Sequence, residues 1–311
     1  MPALTYSVPA CGPASSSLAQ LRRGGSCGGP RDGGSCQQAI TGPLPVPLPG
    51  IPFFSKPGLT EFPDWMFGEW DVMAKYAAFD TPLGAAFVDP SFLEAARAPV
   101  EQGGLGSSTS YKMRLFSTLP DTWDNNVRVT LGLLPHDAVV LDRGFNTAQT
   151  TNAYLGYTAV EESVYSTREP NLQTVTFSRT DPNGRALPPK KIELYINNTA
   201  SESGFDSEGR QTFYTSDLYR QALFLAGDTV FTDYEVLNSY TLLGPGVVQG
   251  KQVTAIYLDP RQPRFFEADG RAVAAYGYDL QMWRTPLAET ASVFLRAKAC
   301  VETPKGFTQC M

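Results

Sequence analysis

The sequence predicts an all-β fold: an antiparallel meander closed into a barrel, with one or two short helices. Three observations carry this prediction. Segments in which apolar and polar residues alternate at period two recur from Gly68 to Trp283, as in half-buried strands. They are separated by Asp181-Pro182-Asn183-Gly184, Ser207-Glu208-Gly209, Ala226-Gly227-Asp228, Gly244-Pro245-Gly246 and Asp269-Gly270, which is the chemistry of tight turns and not of helical crossovers. A meander of this length escapes two exposed edges most simply by closing on itself. A two-sheet sandwich is the competing architecture.

The chain has 311 residues, long for one domain but within reach of a single β-domain with tails. Three segments are expected: a leader and linker at 1–52, a barrel domain at 53–285 and a tail at 286–311. The leader is dominated by Gly, Pro, Ser and Cys; Asp32 is its one acid before Glu61, and Arg22, Arg23 and Arg31 supply its charge. Such a composition does not pack a core, and a Ser-rich, acid-poor, Arg-bearing leader reads as an organelle targeting segment. Its Pro and Gly content suits a plastid address better than an amphipathic mitochondrial one; an ordinary disordered tail is the alternative. Pro43 to Pro52 is a proline-spaced linker.

The first strand opens at Gly68: Trp70, Val72, Ala74 and Tyr76 share one face, and Glu69, Asp71, Met73 and Lys75 the other. Pro63 argues against an earlier start. A connection rich in Pro, Gly and Ala follows, with a short helix expected from Ser91 to Arg97, where Ser91 can cap and Glu94 sits three residues on. Phe79, Leu83, Phe87 and Phe92 suggest that this connection packs over something, either one end of the barrel or its outer wall. Strands are then expected at Ser108 to Phe116, Val127 to Leu133 and Val139 to Leu141, a helical turn at Asn146 to Leu155, and strands at Val160–Arg168, Gln173–Arg179, Lys191–Asn198, Gln211–Leu225, Thr229–Leu243, Gln252–Leu258 and Ala272–Trp283. Ile192, Leu194 and Ile196 share one face, and so do Tyr276, Tyr278, Leu280 and Met282, so one side of the sheet is apolar. A barrel of this size either fills with side chains or holds one small ligand.

Four stretches carry a resemblance. Gly68-Glu69-Trp70 is similar to the GxW signature that opens lipocalin-like barrels, in which the indole plugs the closed end and an Arg covers it. With Phe62-Pro63-Asp64-Trp65, the run Val139 to Asn146, the run Val253 to Pro260 and the run Ala274 to Leu280, the chain from about Phe62 to Trp283 resembles an uncharacterised family of cyanobacterial and plastid proteins whose defining domain has no assigned function. That resemblance implies a chloroplast protein, thylakoid-associated or lumenal, with a removable leader. It implies no catalytic residues. Asp142, Arg143 and Arg284 are the structural companions expected for Gly68 and Trp70, with Arg143 and Arg284 competing for the place over the indole.

A formal charge of −6 gives no reason to expect nucleic acid, and no apolar run reaches the roughly 18 residues of a membrane-spanning helix. All five cysteines lie in the tails; Cys300 and Cys310 could bridge in an oxidising compartment. His136 is the one histidine, so any Ser-His-Asp or Cys-His chemistry, or haem ligation, would have to use it; a turn histidine without chemistry is the plainer expectation. Asp64 and Asp142 could form an acid pair. Asn171, Glu193, Glu235 and Asp279 have no metal-shell spacing, and Asn197-Asn198-Thr199 matches a glycosylation acceptor by chance. No metal and no cofactor are expected.

The leading functional expectation is a non-enzymatic lipocalin-like protein that binds a small apolar ligand (a lipid, carotenoid or tetrapyrrole), with Trp70, Phe145, Tyr276 and Tyr278 as candidate lining residues. The alternatives are an assembly or stability factor for a thylakoid complex, with the barrel as a protein-binding scaffold, and a barrel isomerase or pigment-modifying enzyme.

Overall fold

The computed structural model describes residues 59–117, 123–131, 133, 138–166, 169–225, 227–285, 300–302 and 308–310. One antiparallel sheet of ten strands dominates it: β1 (Gly68–Asp80), β2 (Ser108–Ser117), β3 (Val139–Leu141), β4 (Val160–Ser166), β5 (Glu169–Phe177), β6 (Lys191–Phe205), β7 (Gln211–Leu225), β8 (Asp228–Gly244), β9 (Val247–Tyr257) and β10 (Ala274–Arg284). The order is β3-β2-β1-β10-β9-β8-β7-β6-β5-β4, so β4 to β10 form an unbroken meander and β1 pairs with β10. The sheet curls into a half-barrel. Strand pairing does not complete the ring expected from sequence, because β3 and β4 stand at opposite ends of the order.

Among the described residues four α-helices accompany the sheet: α1 (Pro90–Arg97), α2 (Trp123–Thr130), α3 (Arg143–Leu155) and α4 (Phe265–Ala268). The helix α1 starts one residue before the expected Ser91. Its N-cap is Asp89, whose carboxylate accepts from Ser91 N at 2.8 Å, with Pro90 at the first helical position where a missing N–H costs nothing. The strand expected at Val127 to Leu133 is replaced by α2. Asn125-Asn126, a pair that favours turns, lies inside it, and Asp124 and Arg128 pair across one turn at 3.1 Å.

The predicted alternation sets the faces. Trp70, Val72, Ala74 and Tyr76 are buried on β1, and Ile192, Leu194 and Ile196 on β6. Inward side chains form two clusters. One gathers Phe62, Met66, Trp70, Val72, Met113, Leu280 and Met282; the other gathers Tyr76, Val175, Phe177, Ile192, Tyr219, Tyr234 and Tyr276. Phe79, Leu83, Phe87 and Phe92, from the β1–β2 connection, pack on the second. That connection therefore covers one end of the interior.

The turn between β6 and β7 shows why the meander holds its register. Asp206 accepts through one carboxylate oxygen from Glu208 N and Arg210 N, both at 2.9 Å, and its other oxygen takes Arg210 Nε at 2.7 Å. Outside the main sheet, β11 (Cys300–Glu302) and β12 (Thr308–Cys310) pair antiparallel with Cys300 opposite Cys310 in register. Among the described residues no helix is long and apolar enough to cross a membrane, which says nothing about crossing by strands.

Candidate functional site

The helix α3 builds the site, because it lies between the two ends of the sheet and packs on both β2 and β4. It is longer than the helical turn expected at Asn146 to Leu155, since Asp142 caps it. The Asp142 carboxylate accepts from Phe145 N at 3.1 Å, and the helix ends at Gly156 in the left-handed conformation. On the β2 side, the Asn146 side chain takes the place of a strand residue. Its Oδ1 accepts from Arg114 N at 2.7 Å and its Nδ2 donates to Arg114 O at 2.9 Å. On the β4 side, Gly144 permits close approach: a Cβ there would stand 3.3 Å from the Ser163 carbonyl oxygen. Positions 143, 146, 147, 150 and 151 recur at helical spacing and face inward.

Between α3 and the sheet lies a cavity of about 170 Å³. Nine of the ten strands, all but β4, contribute to its wall. One side is apolar, with Val72, Met113, Leu280 and Met282; the other is polar, with Arg143, Gln173, Asp217, Tyr219, Gln221 and Asn238. Arg143 and Asp217 are the charged lining residues, and their ion pair measures 3.1 Å with both side chains almost entirely buried. Arg143 also donates to the Tyr219 hydroxyl, which in turn donates to Asp217 Oδ2 at 3.2 Å. Gln173 Nε2 donates to Arg143 O and to Ser163 Oγ, both at 3.1 Å, and fixes the start of the helix.

Burial works against the charge on Arg143, but Asp217, Tyr219 and Tyr165 around it more than offset this and hold its pKa above the ordinary value. Burial raises the pKa of Tyr219 and of Tyr240, so both stay neutral phenols. At the helix head, burial pushes the Asp142 carboxyl up to about 6, against the opposing pull of Phe145 N and Arg114. Two acceptors remain open. Asp217 Oδ1 and Asn238 Oδ1 are buried and meet no hydrogen-bond donor among the described residues, although Asn238 Nδ2 donates to Thr215 Oγ1 at 3.0 Å.

The profile of a domain of unknown function, DUF6816, matches residues 56–286, about three quarters of the chain. The chain belongs to the DUF6816 family. No curated protein and no solved structure matches it.

Within the DUF6816 domain the candidate residues from the sequence fall in separate places. Trp70 is fully buried in the first cluster; its Nε1 donates to Met66 O at 2.8 Å, and the Arg284 guanidinium stands 5.0 Å above its ring. Of the two arginines competing for that place, Arg284 occupies it and Arg143 lines the cavity. Gly68 has a φ of 116°, which a side chain would resist; a Cβ there would stand 4.0 Å from Arg284 Nε, an ordinary contact. None of Trp70, Phe145, Tyr276 and Tyr278 is among the cavity-lining residues. Phe145 is half-buried with Arg114 stacked 3.9 Å above it, and Tyr276 and Tyr278 each pack against Tyr76 in the second cluster.

Asp64 is exposed while Asp142 is buried beside Arg114 at 3.4 Å, so the two carboxyls do not share an environment. His136 lies outside the described residues, as do Cys11, Cys27 and Cys36. Asn171, Glu193, Glu235 and Asp279 sit on four different strands; Glu235 accepts from Ser216 Oγ and Tyr257 OH. The DUF6816 domain's polar lining is not among the residues expected to line a site; Arg143 is expected only as a structural companion of Gly68 and Trp70. A signal was there in β7, where Asp217 and Gln221 fall in phase with Phe213 and Leu223 on the buried face.

Proposed function

We propose that the chain is a non-enzymatic binding protein that holds a small, largely apolar molecule inside a lipocalin-like barrel, with α3 as the piece that completes the wall. The observation that carries this is the cavity of about 170 Å³ lined by α3 and nine strands. Its volume is close to that of an engineered apolar cavity of about 150 Å³ that takes benzene, and below the roughly 300–1,000 Å³ of sites for drug-sized ligands. A compact ring or a short stretch of lipid chain fits that space; a carotenoid or tetrapyrrole needs more of it. Binding is favoured over the isomerase alternative because, among the described residues, the lining offers no serine, cysteine, histidine or lysine.

The β1–β2 connection, with Phe79, Phe87 and Phe92 against the second cluster, serves in this proposal as the lid. Residues 1–52 serve as the plastid address; a fluorescent reporter carrying them that stays in the cytosol would remove that part. The test of interior binding is titration of the full chain with toluene, followed by methyl NMR of Val175, Leu280 and Met282. Saturable shifts at those residues are expected. Shifts confined to the surface, or none, would sink interior binding.

A second proposal rests on a separate observation. Trp123, Leu131 and Leu133, on α2 and just after it, are 81%, 66% and 70% exposed. Large apolar side chains so exposed suit a protein partner, as an assembly factor for a membrane complex would need. Substituting all three with Ser should abolish co-purification of a thylakoid complex without lowering the melting temperature; unchanged co-purification removes the scaffold alternative.

A further inference from the structure

We propose that the occupant of the cavity is a compact, electrically neutral molecule that donates a hydrogen bond from N–H or O–H to Asp217 Oδ1 or Asn238 Oδ1, and that carboxylates are refused. This rests on interior binding and names its ligand class.

The charges decide the first half. Arg143 and Asp217 are the charged residues of the lining, and they neutralise each other at 3.1 Å. A charged ligand would add an unbalanced charge beside side chains that are already buried and paired, which is costlier than adding a dipole. An anion finds Arg143 already committed, one terminal nitrogen to Tyr219 and the other to Asp217. The open hydrogen-bonding positions decide the second half. Asp217 Oδ1 and Asn238 Oδ1 are acceptors, both buried and both without a partner among the described residues. In the register of β7 and β8, Asp217 lies opposite Val236 and Asn238 opposite Thr215, so the two are diagonal neighbours on the inward face. Diagonal pairs stand about 7–8 Å apart, a span that one ring with a donor can occupy. Across from them Val72, Leu280 and Met282 offer apolar contact to the rest of the molecule. A site with buried acceptors discriminates against an analogue that lacks the donor, because the acceptors then stay unpaired.

The experiment compares toluene, phenol and benzoate on the full chain near neutral pH, by calorimetry and methyl NMR. Phenol is expected to bind roughly tenfold tighter than toluene, the equivalent of one net hydrogen bond, and benzoate not to saturate. In Asp217→Asn the Arg143 charge loses its counter-ion, and benzoate should gain at least roughly tenfold on phenol. In Asn238→Leu, which leaves the ion pair intact, the preference for phenol over toluene should shrink. Should Asp217→Asn not fold, Asn238→Leu and the ranking of the three probes decide. Benzoate binding as tightly as phenol in the unaltered chain overturns the ligand class. Phenol no better than toluene overturns it too, since water then answers both oxygens. If none of the three binds, interior binding itself has failed.

Discussion

The Trp70 end of the interior and the Arg143 cavity are built from the same strands and solve opposite problems. At the first, the indole N–H is answered by Met66 O and its face by Arg284, in a cluster that also holds the fully buried Met66 and Met282 side chains. At the second, an ion pair is buried beside two acceptors that meet no donor among the described residues, and a carboxyl at the helix head is held at about 6 by burial. The difference teaches where stability is made and where it is given up. Substitutions at the plug should only cost stability, whereas some around the cavity should be neutral or favourable, as at sites shaped for a ligand rather than for the fold.

The largest effect should come from Trp70→Ala, which leaves a cavity where a fully buried indole stood. A loss of about 3–5 kcal/mol is expected in urea denaturation, with an unchanged denaturant slope. A loss below about 1 kcal/mol would erase the contrast. Asp142→Asn should move the other way. The Asp142 carboxyl titrates near 6 when folded against 3.8 as its ordinary value, so between those values the folded chain holds more protons than the unfolded one. Its contribution to stability therefore falls as pH rises through that window and stays low above it. Asn caps a helix as well as Asp, so the variant should be more stable by about 1–3 kcal/mol near neutral pH and should lack that fall in a pH series of melting curves.

Arg284→Ala removes the cation over the indole and a 2.7 Å hydrogen bond to Trp65 O at an exposed position, and a loss of about 1 kcal/mol is expected. The smallest change belongs to Asn238→Leu. It removes one hydrogen bond to Thr215 and one orphaned acceptor together, so thermal unfolding should shift by no more than the equivalent of about 1 kcal/mol. A loss as large as that of Trp70→Ala would make Asn238 part of the plug's logic and end the comparison.

The sheet was legible wherever burial is one-sided, as on β1, β6 and β10, because period-two alternation is then a direct record of which face meets the core. It misled at α2. The alternation of Val127, Val129, Leu131 and Leu133 suggests a strand, yet Leu131 and Leu133 are exposed, so at those two positions the pattern records no buried face. The start of α3 could have been read from Asp142 as a cap with Gly156 at the far end; the apolar run Val139 to Leu141 drew attention away from it. In the candidate site Arg143 stood out because it adjoins a strand end. Asp217 and Asn238 did not, since each sits alone in a long strand and only the curl of the sheet brings them to the helix.

The pairing of β1 with β10 has a consequence in time. Asp71 and Thr285 touch across 214 residues of chain, while from β4 to β10 each strand pairs with the next one in sequence. During synthesis β1 and β2 emerge first but have no β10 to meet, and the meander is complete before they can dock. Closing so long a loop is slow compared with forming hairpins. Refolding should therefore pass through a species in which the β4 to β10 amides are protected from hydrogen exchange before those of β1, and in which the apolar face of β10 waits uncovered. In a crowded compartment, that interval is when the chain most needs a chaperone.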